Sequence, residues 1–444
     1  MAASGTRSES ASTASPRPAQ AMAGAAVLTY RRRMPKLQGS TARAHRDGHH
    51  RVLVIGGGNA GLSVAGRLRR YGVEDIAVVE PREHHLYQPL FSHVAGGTAR
   101  ASMAVRPQEK ALPKGVEWIK DSAVGIEPES SAMMLASGRR LTYDHVIVCP
   151  GIHKDWDAVP GLPSAMHSPA GASHYAFELA VKSSDLLRGL RRGTAVFTQP
   201  PGPATCAGAS QKPMYLACDY WRATGVLKDI RVVLVVPDAT VFGIPEIDRE
   251  LERKIEEYGI EVHLETELIE VDPDAQAVVL RRIGGGRADR VNYDVLNVVP
   301  PQSAPGWIKR SSLPSPDNAD GFVEVDPRTL RHVRYPNVWS LGDAAATTNS
   351  KSGGALRKQT LALAQNLVAV LNGDEPSTEY DGYSVCPFTV SRSSVVFAEF
   401  DDRYRLQPTI PFWKTLYRER RLTWVFDRHI LPWVYWHMIL KGRA

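Results

Sequence analysis

This 444-residue sequence is poor in several features, and each scarcity excludes a class of protein. Four cysteines are far too few for a disulfide-stapled scaffold. No uninterrupted run of about twenty apolar residues occurs, so no membrane-spanning helix is predicted. No Cys and His residues cluster with zinc-ligand spacing, and no metal site is predicted. With 43% hydrophobic and 23% charged residues, the composition is that of a globular protein with a substantial core.

Acidic residues are nearly absent from residues 1–48, where only Glu9 and Asp47 occur among many Ala, Ser, Arg and Pro residues. No apolar core followed by a cleavage site is present, which disfavours a secretory signal. The composition matches a mitochondrial transit peptide, but a disordered extension or a true start near Met34 is the plainer interpretation. The net charge of +7 fits anionic lipid or nucleic acid and by itself decides little.

A dinucleotide-binding pattern begins at residue 51. A buried-type strand over 51–55 precedes an apolar helix over 62–71, and a second strand over 76–79 ends at Glu80. Between the first strand and the helix stands a G-x-G-x-x-G turn, with Gly56, Gly58 and Gly61. In this pattern the glycines allow a tight turn, approach of a pyrophosphate to the backbone, and close helix–strand packing, while the acid binds a ribose hydroxyl. The sequence therefore predicts a dinucleotide site, without separating FAD from NAD.

A later segment favours FAD. Gly342 and Asp343 close a strand just before a helical run, and this pair resembles the Gly-Asp of two-dinucleotide-domain flavoproteins, where it contacts the ribityl side of FAD. Residues 144–151 resemble that family's strand ending in Ala-Thr-Gly, with Cys149-Pro150 as a departure. An ordinary turn acid is the alternative for Asp343. The order of these segments predicts an FAD domain interrupted by a second α/β domain.

The second domain lacks a phosphate-binding turn. A strand over 194–198 begins the pattern again, but residues 199–214 are rich in proline, which removes backbone N–H donors. A strand over 231–236 and a helix over 248–258 still indicate α/β architecture. This domain is therefore predicted to keep the fold without binding NAD(P)H.

The predicted fold is α/β, with two Rossmann-like dinucleotide-binding-type domains in a glutathione-reductase-like arrangement and a C-terminal membrane-associating segment. The predicted boundaries are a disordered or targeting-like tail (1–48), the FAD domain in two parts (49–160 and 306–375), the second Rossmann-like domain (161–305), and a C-terminal segment with a cysteine and a membrane-facing part (376–444).

Two of the four cysteines are candidates for redox chemistry. Cys206 lies in the proline-rich loop, where backbone N–H groups ahead of a helix would lower its pKa. Cys386 lies 180 positions further on, so any pairing of the two must come from the fold. Cys149 and Cys218 lie in apolar or helical surroundings and are predicted to be core thiols. A small buried hydrophobe is the alternative for any isolated cysteine.

From about residue 50 to the C-terminus, the sequence resembles the sulfide:quinone oxidoreductase family. The matching segments are 57–61, 80–81, 87–89, 115–120, 206–209, 211–212, 214–216, 334–338, 342–343, 348–352, 380–383, 386–387 and 398–400. The segments around Cys206 and Cys386, which both match at the corresponding positions, are the most specific part of this resemblance, because flavin-binding folds in general do not require these cysteines.

The resemblance implies roles for residues along the chain. Cys206 and Cys386 would form the redox-active disulfide or sulfur-bridged pair facing the flavin, with Cys386 carrying the persulfide. Glu80 and Gln88 would contact FAD, and Asp343 would bind its ribityl-phosphate side. The remaining positions implied to bind FAD are Asn59, Ala60, Ala123, Lys351, Ser352, Gly353 and Gly354, the last four beside the isoalloxazine. Lys212 and Lys351 are candidates for stabilising nearby anions, with ordinary surface lysines as the alternative.

Residues 412–440 concentrate aromatic and apolar side chains, interspersed with arginines. Pro432 is predicted to interrupt the helix, and residues 427–429 interrupt the apolar run. This composition suits an interfacial anchor lying in one leaflet, with a helix packed on the protein's own core as the alternative.

The predicted function is FAD-dependent oxidation of sulfide with reduction of a quinone. The implied partners are sulfide, quinone, a sulfur acceptor such as glutathione or sulfite, and a lipid surface, without nucleic acid; a homodimer stays open. The location is the cytoplasmic face of a bacterial plasma membrane or the mitochondrial inner membrane. The alternatives are a type II NADH:quinone oxidoreductase, which the missing second glycine turn disfavours, a non-enzymatic membrane flavoprotein, and a soluble sulfide dehydrogenase.

Overall fold

The computed structural model describes residues 36–37, 48–410, 413 and 415–444. Apart from residues 36, 37 and 48, the predicted tail over residues 1–48 lies outside the described residues. In chain order the strands are β1 (His49–Ile55), β2 (Ile76–Val79), β3 (His84–Leu86), β4 (Val105–Pro107), β5 (Glu117–Ile119), β6 (Ala123–Glu127), β7 (Ala132–Leu135), β8 (Arg140–Val148), β9 (His153–Lys154), β10 (Gly171–Ala172), β11 (Gly193–Thr198), β12 (Ile230–Val235), β13 (Glu261–His263), β14 (Thr266–Asp272), β15 (Ala277–Arg282), β16 (Asp289–Asn292), β17 (Val295–Val298), β18 (Gln302–Ser303), β19 (Val338–Ser340), β20 (Ser384–Ser391) and β21 (Ser394–Phe400).

The helices are α1 (Asn59–Arg70), α2 (Phe91–Ala95), α3 (Gln108–Ala111), α4 (Leu162–His167), α5 (Phe177–Gly189), α6 (Lys212–Ala223), α7 (Pro245–Tyr258), α8 (Gly306–Lys309), α9 (Ala355–Leu371), α10 (Arg421–Val425) and α11 (Leu431–His437). Short 3-10 turns include Gln88–Leu90, Ala207–Gln211, Gly342–Ala344 and Ile439–Lys441.

The first sheet has the strand order β5-β2-β1-β8-β7-β6, with β19 also paired to β8. Its strands β5, β2, β1, β8 and β19 run parallel, and β8, β7 and β6 form an antiparallel meander. The strand β2 is buried at all four positions, as expected for an apolar run covered on both faces. Because β19 adds to this sheet from much later in the chain, the sheet is built from two separate segments of the sequence. The helix predicted over 62–71 begins three residues earlier, at Asn59.

The second sheet is wholly parallel, with the order β10-β17-β11-β12-β13. A separate antiparallel sheet, β14-β15-β16, follows it along the chain. The predicted strands over 194–198 and 231–236 correspond to β11 and β12, and the helix predicted over 248–258 corresponds to α7. The sequence therefore locates the elements of the second α/β unit to within a few residues.

The β20–β21 hairpin packs onto the second sheet. The Phe242 ring lies edge-on to Phe388 and Phe400, with centroids 4.8 and 5.4 Å away. The Tyr258 hydroxyl donates to the carbonyl of Val390 at 3.0 Å. The hairpin therefore contacts the loop that follows β12, at the carboxyl ends of the parallel strands, where α/β proteins place their ligands.

The C-terminal segment, residues 421–441, packs against α1. A Cβ added to Gly66 would lie 2.9 Å from the carbonyl carbon of Lys441, so helix and turn meet backbone to backbone. The predicted interruption at Pro432 takes the form of a π-helical turn over Phe426–Ile430, which leads directly into α11 with Pro432 in its first turn. Within the described residues, the helices are too short or too polar to cross a membrane.

Candidate active site

The glycine turn after β1 forms a cradle. Gly56 has φ +107°, and a Cβ there would lie 2.5 Å from the carbonyl oxygen of Cys149. A Cβ at Gly61 would collide with the Gly56 carbonyl, so both positions require glycine. A Cβ at Gly58 would meet no atom within 4 Å. The turn is therefore packed on two sides and open at Gly58, where α1 begins and its free N–H groups favour an anion.

Glu80 closes the cradle from the end of β2. Its carboxylate is 3% exposed and accepts hydrogen bonds from the Gly57 N–H at 2.8 Å and from the Arg82 side chain at 2.9 Å. Burial opposes ionisation, but the hydrogen bond and charge of Arg82 outweigh it and lower the pKa of Glu80. A buried, ionised carboxylate in this place suits a ribose hydroxyl donor.

The later segment meets the cradle where the sequence predicts a cofactor. A Cβ on Gly342, whose φ is +71°, would lie 3.4 Å from the Ala60 Cβ, and one on Gly353 would lie 3.7 Å from the Asn59 amide nitrogen. The Asp343 carboxylate accepts a hydrogen bond from the Thr205 hydroxyl at 2.8 Å. The two predicted halves of the cofactor site are therefore adjacent, and the second half touches the cysteine loop.

Lys351 and its neighbours bridge the cofactor segment and the cysteines. The Lys351 ammonium donates to the carbonyls of Asp343 and Ala345 at 2.9 and 2.8 Å, and burial lowers its pKa to about 8. The Ser352 hydroxyl accepts a hydrogen bond from the Ala355 N–H at 3.3 Å at the start of α9. A Cβ on Gly354 would collide with the Val385 side chain, the neighbour of Cys386. Because Lys351 is buried, the alternative that it is an ordinary surface lysine is wrong.

The two remaining predicted cofactor residues, Gln88 and Ala123, lie on other elements. Gln88 is exposed on its 3-10 turn, and Ala123 is half-buried at the start of β6, where it pairs with Leu135. Pro89, the neighbour of Gln88, lies 3.9 Å from a Cβ built on Gly353, and the roles of Gln88 and Ala123 stay predictions.

The two cysteines separated by 180 positions come together. Their sulfur atoms lie 3.5 Å apart as free thiols. Cys206 has φ +48°, a left-handed conformation that a non-glycine residue adopts only at an energetic cost. Its N–H donates to the carbonyl of Lys351 at 2.5 Å. A Cβ at Gly208 would lie 2.5 Å from the Cys386 sulfur, so glycine there makes the approach of the two thiols possible.

The pKa values of the two thiols are shifted in opposite directions. The hydrogen bond from the Cys386 thiol lowers the pKa of Cys206 to about 6; burial opposes this shift, while the charge of Lys212 and the N–H of Ala209 assist it. The same hydrogen bond and burial raise the pKa of Cys386 well above its usual value. The predicted contribution of backbone N–H groups is present but secondary. Cys149 and Cys218 are fully buried, with pKa values raised by burial, as predicted for core thiols.

Sequence reasoning missed the residues that support the cysteine loop. The Tyr175 hydroxyl donates to the carbonyl of Thr205 at 2.8 Å and lies 3.2 Å from that of Cys206. The His174 ring nitrogen donates to the carbonyl of Ala209 at 2.9 Å, and burial lowers its pKa to about 3. The Gln302 amide oxygen accepts a hydrogen bond from the Thr205 N–H at 3.0 Å. All three act on backbone atoms, so no residue pattern in the loop indicates them.

The turn after β11 offers no second cradle. Its prolines lack N–H donors, and the Cys386-bearing hairpin packs against Gly208 in the same loop. Among the residues that the structure describes, no three His, Cys, Asp or Glu side chains gather as metal ligands.

Comparison with known proteins agrees with this geometry. The pyridine nucleotide-disulphide oxidoreductase family model matches residues 50–369. The mitochondrial sulfide:quinone oxidoreductase of Mus musculus is 36% identical over 398 residues, covering 89% of this chain and 87% of the relative. A type II NADH:quinone oxidoreductase of Mycobacterium tuberculosis is 27% identical, covering 82% of each chain.

A solved structure confirms the α/β flavin disulfide-reductase-like fold. The X-ray structure of the sulfide:quinone oxidoreductase from Aquifex aeolicus superposes with a TM-score of 0.75 at 19% identity, covering 89% of this chain and 92% of that one. The family match spans most of the chain, and the mouse relative exceeds 30% identity over nearly all of it. The chain therefore belongs to the pyridine nucleotide-disulphide oxidoreductases and, within them, to the sulfide:quinone oxidoreductase family.

Proposed function

We propose that this protein oxidises hydrosulfide at the Cys206–Cys386 pair and passes the electrons through FAD to a membrane quinone. The observation that carries the proposal is the approach of the two sulfurs to 3.5 Å beside the glycine cradle. Sulfide and quinone are named as substrates in the mouse relative, and a disulfide-forming pair next to a flavin site is the chemistry that sulfide oxidation needs.

The flavin of this family fits the residues present. The open face at Gly58 would receive a pyrophosphate, the buried Glu80 carboxylate would accept from a ribose hydroxyl, and Asp343 would face the ribityl side. This set of groups favours FAD over a flavin mononucleotide, because the mononucleotide has neither a pyrophosphate nor an adenosine ribose. When bound, the flavin accepts two electrons from the thiol pair and delivers them to the quinone.

The chain's own residues define the sulfur chemistry. Hydrosulfide attacks the Cys386 sulfur of the disulfide; the new S–S bond makes a persulfide on Cys386, and the bond that breaks leaves a thiolate on Cys206. Cys206 suits the leaving position because a thiol of lower pKa leaves faster. A sulfur nucleophile, with sulfite and glutathione as the candidates to compare, then removes the outer sulfur. The Cys386 thiol and the Cys206 thiolate then give up two electrons and one proton as the disulfide forms again.

An exposed apolar side of the C-terminal segment would give access to a quinone dissolved in lipid. Leu422, Val425 and Trp433 lie along the C-terminal segment and are 40, 40 and 56% exposed. Tyr435 and Trp436 on the same segment are buried. One side of the segment therefore packs against the protein, and the opposite side is exposed. The mitochondrial relatives favour a mitochondrial membrane over a bacterial one. We propose peripheral association through this exposed side.

Vesicle flotation tests the membrane proposal. Replacing Leu422, Val425 and Trp433 with serine should lower binding to vesicles containing anionic lipid by about tenfold or more, because the apolar area available for insertion is lost. A matched control replaces three equally exposed apolar residues elsewhere, Val124, Ile283 and Val333. Equal loss in both triple variants would contradict a specific membrane face.

Anaerobic absorbance titration tests the function itself. The purified flavoprotein is titrated with sulfide, and separately with NADH, before a short-chain quinone is added. The proposal expects bleaching of the flavin by sulfide and recovery on quinone addition. Bleaching by NADH alone would favour the type II NADH enzyme, and a flavin that responds to neither reagent would favour a non-enzymatic flavoprotein.

A further inference from the structure

Three lysines are buried in the described part of the chain, and one of them differs from the other two. Lys254, 4% exposed, pairs with the carboxylates of Glu257 and Glu419 at 2.8 and 3.0 Å. Lys351, 8% exposed, donates to two carbonyls. Lys212 is 5% exposed, yet among the described residues its ammonium has no oxygen partner in a hydrogen bond or ion pair. Its burial contradicts the surface alternative.

The position of Lys212 is unfavourable for folding. An ammonium on a side chain that is 5% exposed loses much of its hydration, and without an oxygen partner it gains little in return. Lys212 is also the first residue of α6, and the positive end of a helix dipole repels a cation. Neither packing nor the helix therefore accounts for a lysine at this place, and an anion near its side chain has to compensate its charge.

The thiol pair supplies that anion. The 3-10 turn Ala207–Gln211 is all that separates Lys212 from Cys206, and the Cys386 sulfur lies against Gly208 in the same turn. Burial alone would lower the pKa of Lys212, but the charges of Cys206, Cys386 and Asp427 outweigh it and raise the pKa. Asp343 also faces Cys206 and acts against its ionisation.

We propose that Lys212 is a positioning residue that holds the sulfur of Cys206 as a thiolate, and thereby directs hydrosulfide to Cys386. When hydrosulfide attacks the disulfide, the electron pair of the broken S–S bond moves onto the departing sulfur. A buried cation beside Cys206 stabilises that charge on Cys206, so the incoming sulfur atom is left on Cys386. This direction of attack rests on the proposed function; the charge state of the reduced thiol pair does not.

The test measures thiolate formation without sulfide. The flavoprotein is reduced with dithiothreitol, freed of reductant under anaerobic conditions, and alkylated with iodoacetamide across pH 5 to 10, with the modified cysteine identified by mass spectrometry. In Lys212→Met the Cys206 midpoint should move from near 6 to at least 7, and alkylation near pH 6.5 should slow by about threefold to tenfold. Lys212→Arg, which keeps the charge, should retain most of the original profile.

Lys254→Met is the matched control, because it removes an equally buried lysine that has its own carboxylate partners. It should lower thermal stability and leave the Cys206 midpoint unchanged, whereas Lys212→Met should be at least as stable as the parent and retain its flavin. If Lys212→Met does not fold, Lys212→Gln replaces it. An unchanged midpoint in the folded variant would overturn the proposal. A parent enzyme inert to sulfide, with the shift in midpoint present, would refute the proposed function alone.

Discussion

The turn after β1 in the first sheet and the turn after β11 in the second sheet differ in opposite directions. The turn after β1 is rich in glycine, packed on two sides and open at Gly58. The turn after β11 is rich in proline, carries Cys206 in a left-handed conformation, and is covered by a hairpin from much later in the chain. In the function proposed above, one turn would provide backbone N–H groups for a cofactor, and the other provides a thiol but few N–H donors for a second dinucleotide. The architecture is shared, and the chemistry is decided by the residues of the two turns.

The largest loss of activity is expected when a thiol is removed from the turn after β11 or from the hairpin that covers it. Cys206→Ala and Cys386→Ala should each lower sulfide-dependent quinone reduction by about a thousandfold or more, because no disulfide remains for hydrosulfide to attack. The measurement is anaerobic turnover with a short-chain quinone. Cys218→Ala, a buried thiol outside the pair, should lose only stability, about 0.5–3 kcal/mol. Normal turnover in both single variants would refute the proposed site.

A side chain introduced at Gly58 would close the open turn after β1. Gly58→Leu should weaken flavin binding by about 100-fold, since a side chain would occupy the space left for the phosphates and displace their charge-assisted hydrogen bonds. Apoprotein folding should be retained, because nothing lies within 4 Å of the new Cβ. Flavin fluorescence titration measures the effect. Gly189→Leu, at an equally open position on α5, serves as control, and equal losses in both variants would contradict the cradle.

A smaller effect is expected from crowding the thiols. Gly208→Ala would push a methyl group into contact with the Cys386 sulfur and the Phe388 ring. We expect turnover to fall by about tenfold or more with normal flavin content, since hydrosulfide exchange needs the two sulfurs within bonding reach. Stopped-flow reduction by sulfide measures this. Parent-like reduction rates would show that the approach of the sulfurs tolerates the extra methyl group.

The smallest effect concerns the support of the cysteine loop. Tyr175→Phe removes the hydroxyl that donates to the Thr205 carbonyl and should cost about 1 kcal/mol of stability, with turnover slowed by about threefold. Tyr293→Phe is the matched control, because its buried hydroxyl has no hydrogen-bond partner among the described residues. Thermal denaturation and turnover together separate the two variants, and identical behaviour would remove Tyr175 from the support of the loop.

The residues of the first turn were predictable from the sequence because their function is local. Strand, glycines, helix and acid follow one another within thirty residues, and each has a fixed geometric role. The boundaries of β1, β2, β11 and β12 follow from the same apolar runs. The start of α1 at Asn59, three residues before the predicted start, reflects the helix reaching back into the glycine turn, where the apolar pattern carries no signal.

The cysteine site was predictable only through family resemblance. No local pattern joins residues 180 positions apart, and the closeness of Cys206 to Cys386 depends on the hairpin crossing to the second sheet. The burial of Lys212 was also hidden, since a lysine at the start of a helix ordinarily lies in solvent. Tertiary packing decides both features, and a single sequence carries little information on it.

Because the β20–β21 hairpin covers the turn after β11, the cysteine site can form only after the hairpin has been synthesised. Cys206 leaves the ribosome well before Cys386, and at 5–20 residues per second the interval is roughly 10–40 s. Throughout that time the second sheet lacks Phe388 and Phe400, which later complete its apolar cluster. An unfinished chain therefore holds a cysteine without its redox partner, in a domain whose core is still incomplete. Reactivity toward sulfide thus arises together with the final burial of this core, and only chains that extend past the β20–β21 hairpin acquire it.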